Sequence, residues 1–412
     1  MSRPLATLCL ALLLSMPAHA GEYDEAASPP FATAEALVAW LAQHPSPLDR
    51  VPPHTRALFL DALDFGPRGV RSFPYGELAH ELTTAELAEV QRLLLDEAMP
   101  LTGLDADEAG RLRAARDAGT LTAPSGAVLT AYRDWRTAKQ ATDATDAAID
   151  RLAAEHAAAG HSAGEDLRLL HRAALERAWL HGDDARIGTA RALHARLQAL
   201  GLATRRDHRD VQRALLRAGR VEGARAFTAT VPDAGLPAVP RLDVTRPLPD
   251  GAIRIWQIED DDETVPTLRQ DALDLDARIV VVSAPGCGFS RAAAATIPSD
   301  PELGPVFAQH AVWLIAPDAI ADVAALREWN RRNPETGILI SGDAAQWPVP
   351  LDSTPQFLVF IGGRLVERIE GWPLDGSGRD AVHAALLRAG LLRSTVDAAD
   401  AGDTPGPTSE HR

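Results

Sequence analysis

Between Val231 and Gly251 the chain reads VPDAGLPAVPRLDVTRPLPDG, with prolines at 232, 237, 240, 247 and 249. Proline lacks the N–H and the φ freedom that a helix interior needs, so an extended, semi-rigid connector is expected over 231–251. It separates two regimes of periodicity. From 31 to 230 apolar residues recur at helical spacing, as in Leu37, Trp40 and Leu41. From 252 to 393 short β-branched runs (IRIWQI, RIVVVSA, VWLIA, FLVFI, RLVERI) alternate with helical patterns, the signature of a sheet flanked by helices. The expected architecture is therefore α + α/β: a helical domain, a Pro-rich linker, and an α/β domain.

Within the first region, Thr83 followed by Glu86 forms a capping-box signature ahead of Leu87, Val90 and Leu94, which sets a helix start. The stretch FGPRGVRSFPYG, Phe65 to Gly76, has the Gly and Pro density of a loop, and no strand is expected in this half. Two later segments, RAALERAWLHGDDARIGTARALHARLQ and DVQRALLRAGRVEGARAFTAT, read as helix, glycine turn, helix. Gly182 and Gly219 mark the turns, and Ala190 and Ala224 supply small residues where helices approach. The pattern resembles tetratricopeptide-type repeats. Two copies fall short of the three or so that a solenoid needs, so an irregular helical domain is the alternative.

Residues 1–20, MSRPLATLCLALLLSMPAHA, carry Arg3, an apolar run through Leu14 and a small-x-small end at Ala18-His19-Ala20. That is the layout of a secretory signal peptide cleaved after Ala20, and the run is too short for a membrane helix. An exported, periplasmic protein with no membrane span is expected. The tail 394–412 is polar and expected to be disordered. The formal charge is 41 − 57 = −16, or −17 without Arg3, which argues against nucleic acid as a partner because phosphate binding needs a basic face. A protein substrate or protein partner remains.

Of the two cysteines, Cys9 leaves with the signal and Cys287 stays. One cysteine in an exported chain forbids an internal disulfide, and such a thiol is either buried and inert or exposed and reactive. Cys287 follows the run Arg278 to Ser283 and the loop Ala284-Pro285-Gly286, and a helix is expected to begin near Gly288. Unpaired N–H groups at a helix start favour a thiolate. Ser290, one turn on, is placed to donate a hydrogen bond to the sulfur. Further along, DSTPQFLVFIGGRLVERIEGW reads as a loop, a strand, the Gly362-Gly363 turn, an antiparallel strand and a bend at Gly371. Pro355 falls where a strand begins, a position at which its missing N–H costs no ladder bond.

On these residues, 252–393 resembles a thioredoxin-like domain. The A-P-W-C-G-P-C-R pattern of that family appears as Ala284, Pro285, Gly286, Cys287, Gly288, Phe289, Ser290 and Arg291. A Thr-Pro before a hairpin and a closing amphipathic helix, Ala381 to Leu392, follow in the family's order. The resemblance implies that Cys287 is the attacking thiol and that Thr354 and Pro355 form a cis-proline loop holding the extended backbone of a substrate. It also brings departures. Ser290 stands for the resolving cysteine, Gly286 for the tryptophan, and Val281 for the buried acid that assists proton transfer. C-G-F-S equals the tetrapeptide of monothiol glutaredoxins, but the hairpin is more thioredoxin-like. No cofactor is expected, with glutathione the one small thiol such a site would take.

Two functions follow from different classes. In one, Cys287 performs monothiol thiol–disulfide exchange on envelope proteins, isomerising their disulfides or removing glutathione. In the other, the site is degenerate and the protein is a non-catalytic binding scaffold whose helical half recruits a partner. Other chemistries find no support. His156, His161, His171, His181, His194 and His208 lie along helices without an HExxH pair, and are expected to be surface or satisfied histidines. The run Glu259 to Glu263 lacks the alternating ligands of a calcium loop and is expected to be a solvated turn. Trp313, Trp329, Trp347 and Trp372 are expected to pack the sheet, with Trp372 also placed to line a partner groove.

Overall fold

A computed structural model describes residues 31, 33–66, 69–95, 101–137, 143–159, 164–181, 184–259, 264–373 and 375–392. The expected signal peptide with Cys9, the tail, Gly182, His161 and residues 260–263 of the acidic run lie outside them. The chain divides into two compact units, 1–110 and 111–412. The division falls inside the expected helical domain rather than at the Pro-rich stretch.

The first unit holds α1 (Ala34–Leu41), α2 (Pro53–Ala62), a hairpin of β1 (Asp64–Gly66) and β2 (Gly69–Ser72), α3 (Tyr75–Ala79) and α4 (Thr84–Leu94). The capping box forms: the Glu86 backbone N–H donates to Thr83 Oγ1 at 3.2 Å, and the Thr83 N–H donates to Glu86 Oε2 at 2.9 Å. These bonds satisfy donors that the first turn of α4 leaves open. Leu37 and Leu41 of α1 are buried with Leu87, Val90 and Leu94 of α4 in one cluster. The hairpin corrects the expectation of a loop. Phe65 pairs with Val70, and Gly69 takes a positive φ of 96° at the turn, so the glycine and proline density marks a hairpin corner rather than the absence of strands.

The second unit follows α5 (Ala106–Asp117), in which the division lies, with α6 (Gly126–Thr137), α7 (Asp143–Ala158), α8 (Gly164–His181), α9 (Asp184–Ala199), α10 (Arg205–Arg217) and α11 (Val221–Thr230). Gly219, at φ 70°, makes the turn between α10 and α11, and Ala190 and Ala224 are fully buried, as their size predicts. Arg177 of α8 is buried and donates to both carboxylate oxygens of Asp150 on α7, at 2.7 and 2.9 Å. Bidentate pairing of this kind is what permits a guanidinium inside a helical core.

The sheet comprises β3 (Arg241–Asp243), β4 (Ile253–Glu259), β5 (Thr267–Leu273), β6 (Arg278–Val282), β7 (Ala311–Ile315), β8 (Ile338–Ser341), β9 (Gln356–Ile361) and β10 (Arg364–Glu370). Their spatial order is β10-β9-β6-β7-β8-β4-β5-β3. β6, β7 and β8 run parallel, and β9, β10 and β4 are antiparallel to their neighbours. The helices of this part are α12 (Gly288–Thr296), α13 (Leu303–His310), α14 (Val323–Arg332) and α15 (Ser377–Arg388). Ile279 to Val282 of β6 are wholly buried, the condition of a central strand covered on both faces. The result is a mixed α/β fold with 15 helices among the described residues.

Three strands escape the sequence pattern: β3, β5 and β8. β3 lies within the expected linker and pairs in parallel with β5. The stretch is held further by Gln212, which donates to the Pro237 carbonyl at 2.9 Å, and by Arg225, which donates to that of Pro240 at 3.0 Å. The prolines thus shape a packed edge instead of a free spacer. The closing helix also begins earlier than expected and ends at Arg388, where Gly390 with φ 73° lets the Leu391 N–H reach back to the Leu386 carbonyl at 3.0 Å. The four tryptophans are buried, with Trp329 Nε1 donating to the Thr336 carbonyl at 3.0 Å and Trp347 Nε1 to Ser341 Oγ at 2.8 Å.

Candidate functional site around Cys287

The register of two strands builds this site. β6 pairs with antiparallel β9 so that Val282 faces Gln356 and Val281 faces Phe357. The residues just beyond the end of β6 and those just before β9 therefore come to the same edge of the sheet. Leaving β6, the Ser283 N–H donates to the Leu314 carbonyl at 2.8 Å, and a tight turn lets the Cys287 N–H reach the Ala284 carbonyl at 3.0 Å. Cys287 is then the N-cap of α12, in extended conformation with φ −84° and ψ 123°. Its own carbonyl accepts from the Arg291 N–H at 3.0 Å, the first bond of the helix.

On the β9 side, the Thr354–Pro355 peptide is cis. Cys287 Sγ lies 3.2 Å from the Thr354 carbonyl oxygen, and the Pro355 carbonyl accepts from the Gly371 N–H at 2.8 Å, which ties the loop to the end of β10. Cys287, Thr354 and Pro355 are thus brought together by elements 67 residues apart in sequence.

Ser290 is fully buried, and its Oγ accepts from the Ala284 N–H at 3.3 Å. The hydroxyl staples the loop onto the first turn of α12 and keeps its proton free to point at the sulfur. Arg291 adds a second staple that the motif alone does not assign: its Nη1 donates to the carbonyls of Pro285 and Gly286 at 3.2 and 3.4 Å. Phe289 is 51% exposed beside the half-buried thiol. Val281, in the position of the expected acid, is fully buried between Trp313 and Phe357.

Several opposed effects set the acidity of Cys287. Partial burial is the largest and pushes the thiol up. Against it act the Ser290 N–H, the Thr354 and Ser290 hydroxyls and the Phe289 N–H, and together they hold it below the ordinary thiol range. Thr354 works in both directions: its carbonyl accepts from the neutral thiol, whereas its hydroxyl stabilises the anion. The helix-start donors tip the balance toward the thiolate.

Beyond Phe289, the side of α12 borders a pocket of about 210 Å³ lined by Ala292, Thr296, Ile297, Trp372, Pro373 and Arg379. Trp372 packs against Phe357 at a centroid distance of 5.6 Å, as expected of a residue that packs the sheet, and lines this recess. Of the histidines expected to be surface or satisfied, His194 and His208 are hydrogen-bonded to each other at 2.8 Å, whereas His171 is buried with neither ring nitrogen hydrogen-bonded. His171, His194 and His208 converge in the core of α8, α9 and α10. The signal lay in their spacing: His194 sits on the same stripe as Ala190, Leu193 and Leu197, all buried. Glu259 ends β4 and pairs with Arg269. Among the described residues, no group of three His, Cys, Asp or Glu side chains is arranged to hold a metal ion, and no helix is long and apolar enough to cross a membrane.

Compared with protein-family models, with curated proteins and with solved structures, the chain finds no match in any of the three.

Proposed function

We propose that the chain is a monothiol thiol–disulfide exchange protein of thioredoxin-like type, exported to the periplasm, with Cys287 as its nucleophile. The observation that carries this reading is the placement of Sγ at the N-terminus of α12, 3.2 Å from the carbonyl of a cis Thr354–Pro355 loop, with a thiol below its ordinary range. Thr354 and Pro355 would align the extended backbone of an unfolded or misoxidised envelope protein, and the helical region would recruit it.

The chemistry needs no second cysteine and no external oxidant. The Cys287 thiolate attacks one sulfur of a substrate disulfide, an S–S bond forms to Cys287, and the other substrate sulfur leaves as a thiolate. A thiol of the same substrate then attacks the mixed disulfide, restores the Cys287 thiolate and leaves a rearranged disulfide. Electrons are conserved throughout. With a glutathione adduct as substrate, the first step places glutathione on Cys287 and frees the protein thiol; a second glutathione thiolate then attacks that mixed disulfide, leaves as glutathione disulfide and restores the Cys287 thiolate.

The test is the rate of iodoacetamide alkylation of Cys287 across pH in the folded chain, with an unfolded control. Rapid reaction with a midpoint below the free-cysteine value of about 8.5 is expected. Alkylation that appears only on unfolding would remove the reading and leave the non-catalytic scaffold.

A further inference from the structure

The second unit buries a polar stack for which thiol exchange has no use. α8, α9 and α10 contribute His171, His194 and His208, with ring centroids 5.7 Å apart for the first pair and 4.8 Å for the second. His194 Nε2 and His208 Nδ1 are 2.8 Å apart, so one ring donates and the other accepts. Phe227 of α11 closes the side, its ring 5.2 Å from that of His194. His171 is 0% exposed and neither of its ring nitrogens makes a hydrogen bond; His194 is 2% exposed.

Ring nitrogens without a hydrogen bond inside a core cost stability, and here only the Asp207 carboxylate is near one of them. Charging His194 would cost more. Burial is the largest effect on His194, His171 and His208 add to it as neighbours, and Arg191 on its own helix acts in the same direction; only Asp207 opposes. Asp207 is itself committed. Its Oδ1 lies 3.6 Å from His171 Nδ1, while Oδ2 accepts from the Thr204 N–H and hydroxyl at 2.8 and 2.7 Å as the capping box of α10. One turn on, Asp210 lies within reach of Arg206, at 3.9 Å. From α11 the ring of Phe227 brings no charge, and the acids Asp146 and Asp150 of α7 are engaged by Arg177 and, for Asp150, Arg186.

We propose that the His171–His194–His208 stack is a proton-operated latch on the packing of α8, α9 and α10, closed while His194 is neutral and opened when acid charges it. In the closed state the His194–His208 hydrogen bond, the ring contacts and the His171–Asp207 approach join the three helices. A proton taken up at the stack meets two carboxylates of α10: Asp207, which already caps the helix, and Asp210, which burial pushes up toward its neutral form although His171 acts the other way. Relief comes from moving the charged ring to water, which separates α10 from α8 and α9.

The direction with pH is fixed by linkage. His194 is lowered from 6.5 to about 3, so the opened form binds the proton more readily than the closed one at all pH values between these two. The latch is fully closed above about pH 6.5 and loses stability as pH falls toward 3. At about pH 5 the opening constant should exceed that at about pH 7.5 by about thirtyfold.

Native-state hydrogen–deuterium exchange of the full chain at those two pH values, corrected for the intrinsic chemical rate, tests this. Peptides from 164–217 are read against peptides from β6 and β9. A rise of about thirtyfold confined to the helices, and a flat response there in a His194→Phe variant, are expected. No rise, an equal rise in the strands, or a rise that persists in His194→Phe overturns the latch. Should His194→Phe fail to fold, the contrast between helices and strands in the unaltered chain still decides.

Discussion

Cys287 and His194 are titratable groups of the same unit held under opposite conditions. The sulfur sits at a helix start on the open edge of the sheet, half-buried, with N–H and O–H donors turned toward it. The imidazole sits mid-helix in a core, with two more imidazoles and a phenyl ring as its nearest neighbours. Burial opposes charge at both, but at Cys287 the surrounding donors outweigh it and at His194 nothing does. Position relative to a helix end therefore matters: the donors at the start of α12 favour the charged form of Cys287, whereas burial in the core disfavours the charged form of His194.

The largest effect that separates the two is on stability. Replacing His171 by Ala empties a fully buried ring site between α8 and its neighbours and should cost about 3 kcal/mol in urea unfolding. It should leave the alkylation rate of Cys287 unchanged. Cys287→Ser should do the reverse: stability within about 0.5 kcal/mol of the parent, and every mixed disulfide with Cys287 lost. If Cys287→Ser unfolds the chain as severely as His171→Ala, the sulfur is a core residue and the contrast fails.

A smaller effect sharpens the account of the thiol. Ser290→Ala removes both the hydroxyl that favours the thiolate and the acceptor of the Ala284 N–H. The alkylation midpoint should rise, and stability should fall by about 1 kcal/mol, as expected for a buried donor left unpaired. Ser290→Cys would supply a second thiol, and an oxidised 287–290 disulfide should then form reversibly. A midpoint unmoved by Ser290→Ala would assign Ser290 to loop architecture alone.

Sequence legibility followed the same physical line. Local signals were readable: the capping box at Thr83, the helix start at Cys287, the run of β6, and Pro355 at the head of β9 lie within a few residues of what specifies them. Signals that depend on distant partners were not. β5, TLRQDAL, alternates in burial but carries Arg269, Gln270 and Asp271, whose polarity hides the strand until β4 and β3 flank it. The prolines of 231–251 forbid a helix yet do not forbid packing, so β3 was invisible. The histidines read as surface or satisfied residues along helices and not as neighbours, because three helices must fold before the rings meet.

The smallest expected effect concerns the contact between the regions that hold the two groups. Arg213 of α10 donates to Asp322 at 2.9 Å, and Asp322 ends the turn Pro317–Asp322 that follows β7, the parallel neighbour of β6. Both side chains are nearly half exposed, at 40% and 49%, so solvent screens the pair and a double-mutant cycle with Arg213→Ala and Asp322→Ala should give a coupling below about 1 kcal/mol. That coupling should shrink further in added salt. Arg217 of α10 also pairs with Asp318 of the same turn; if both ties yield when acid loosens the helices, the alkylation rate of Cys287, expressed per thiolate, should stay constant across that transition. A coupling above about 2 kcal/mol would mean a desolvated joint, and the thiol would then sense the same proton as the histidines.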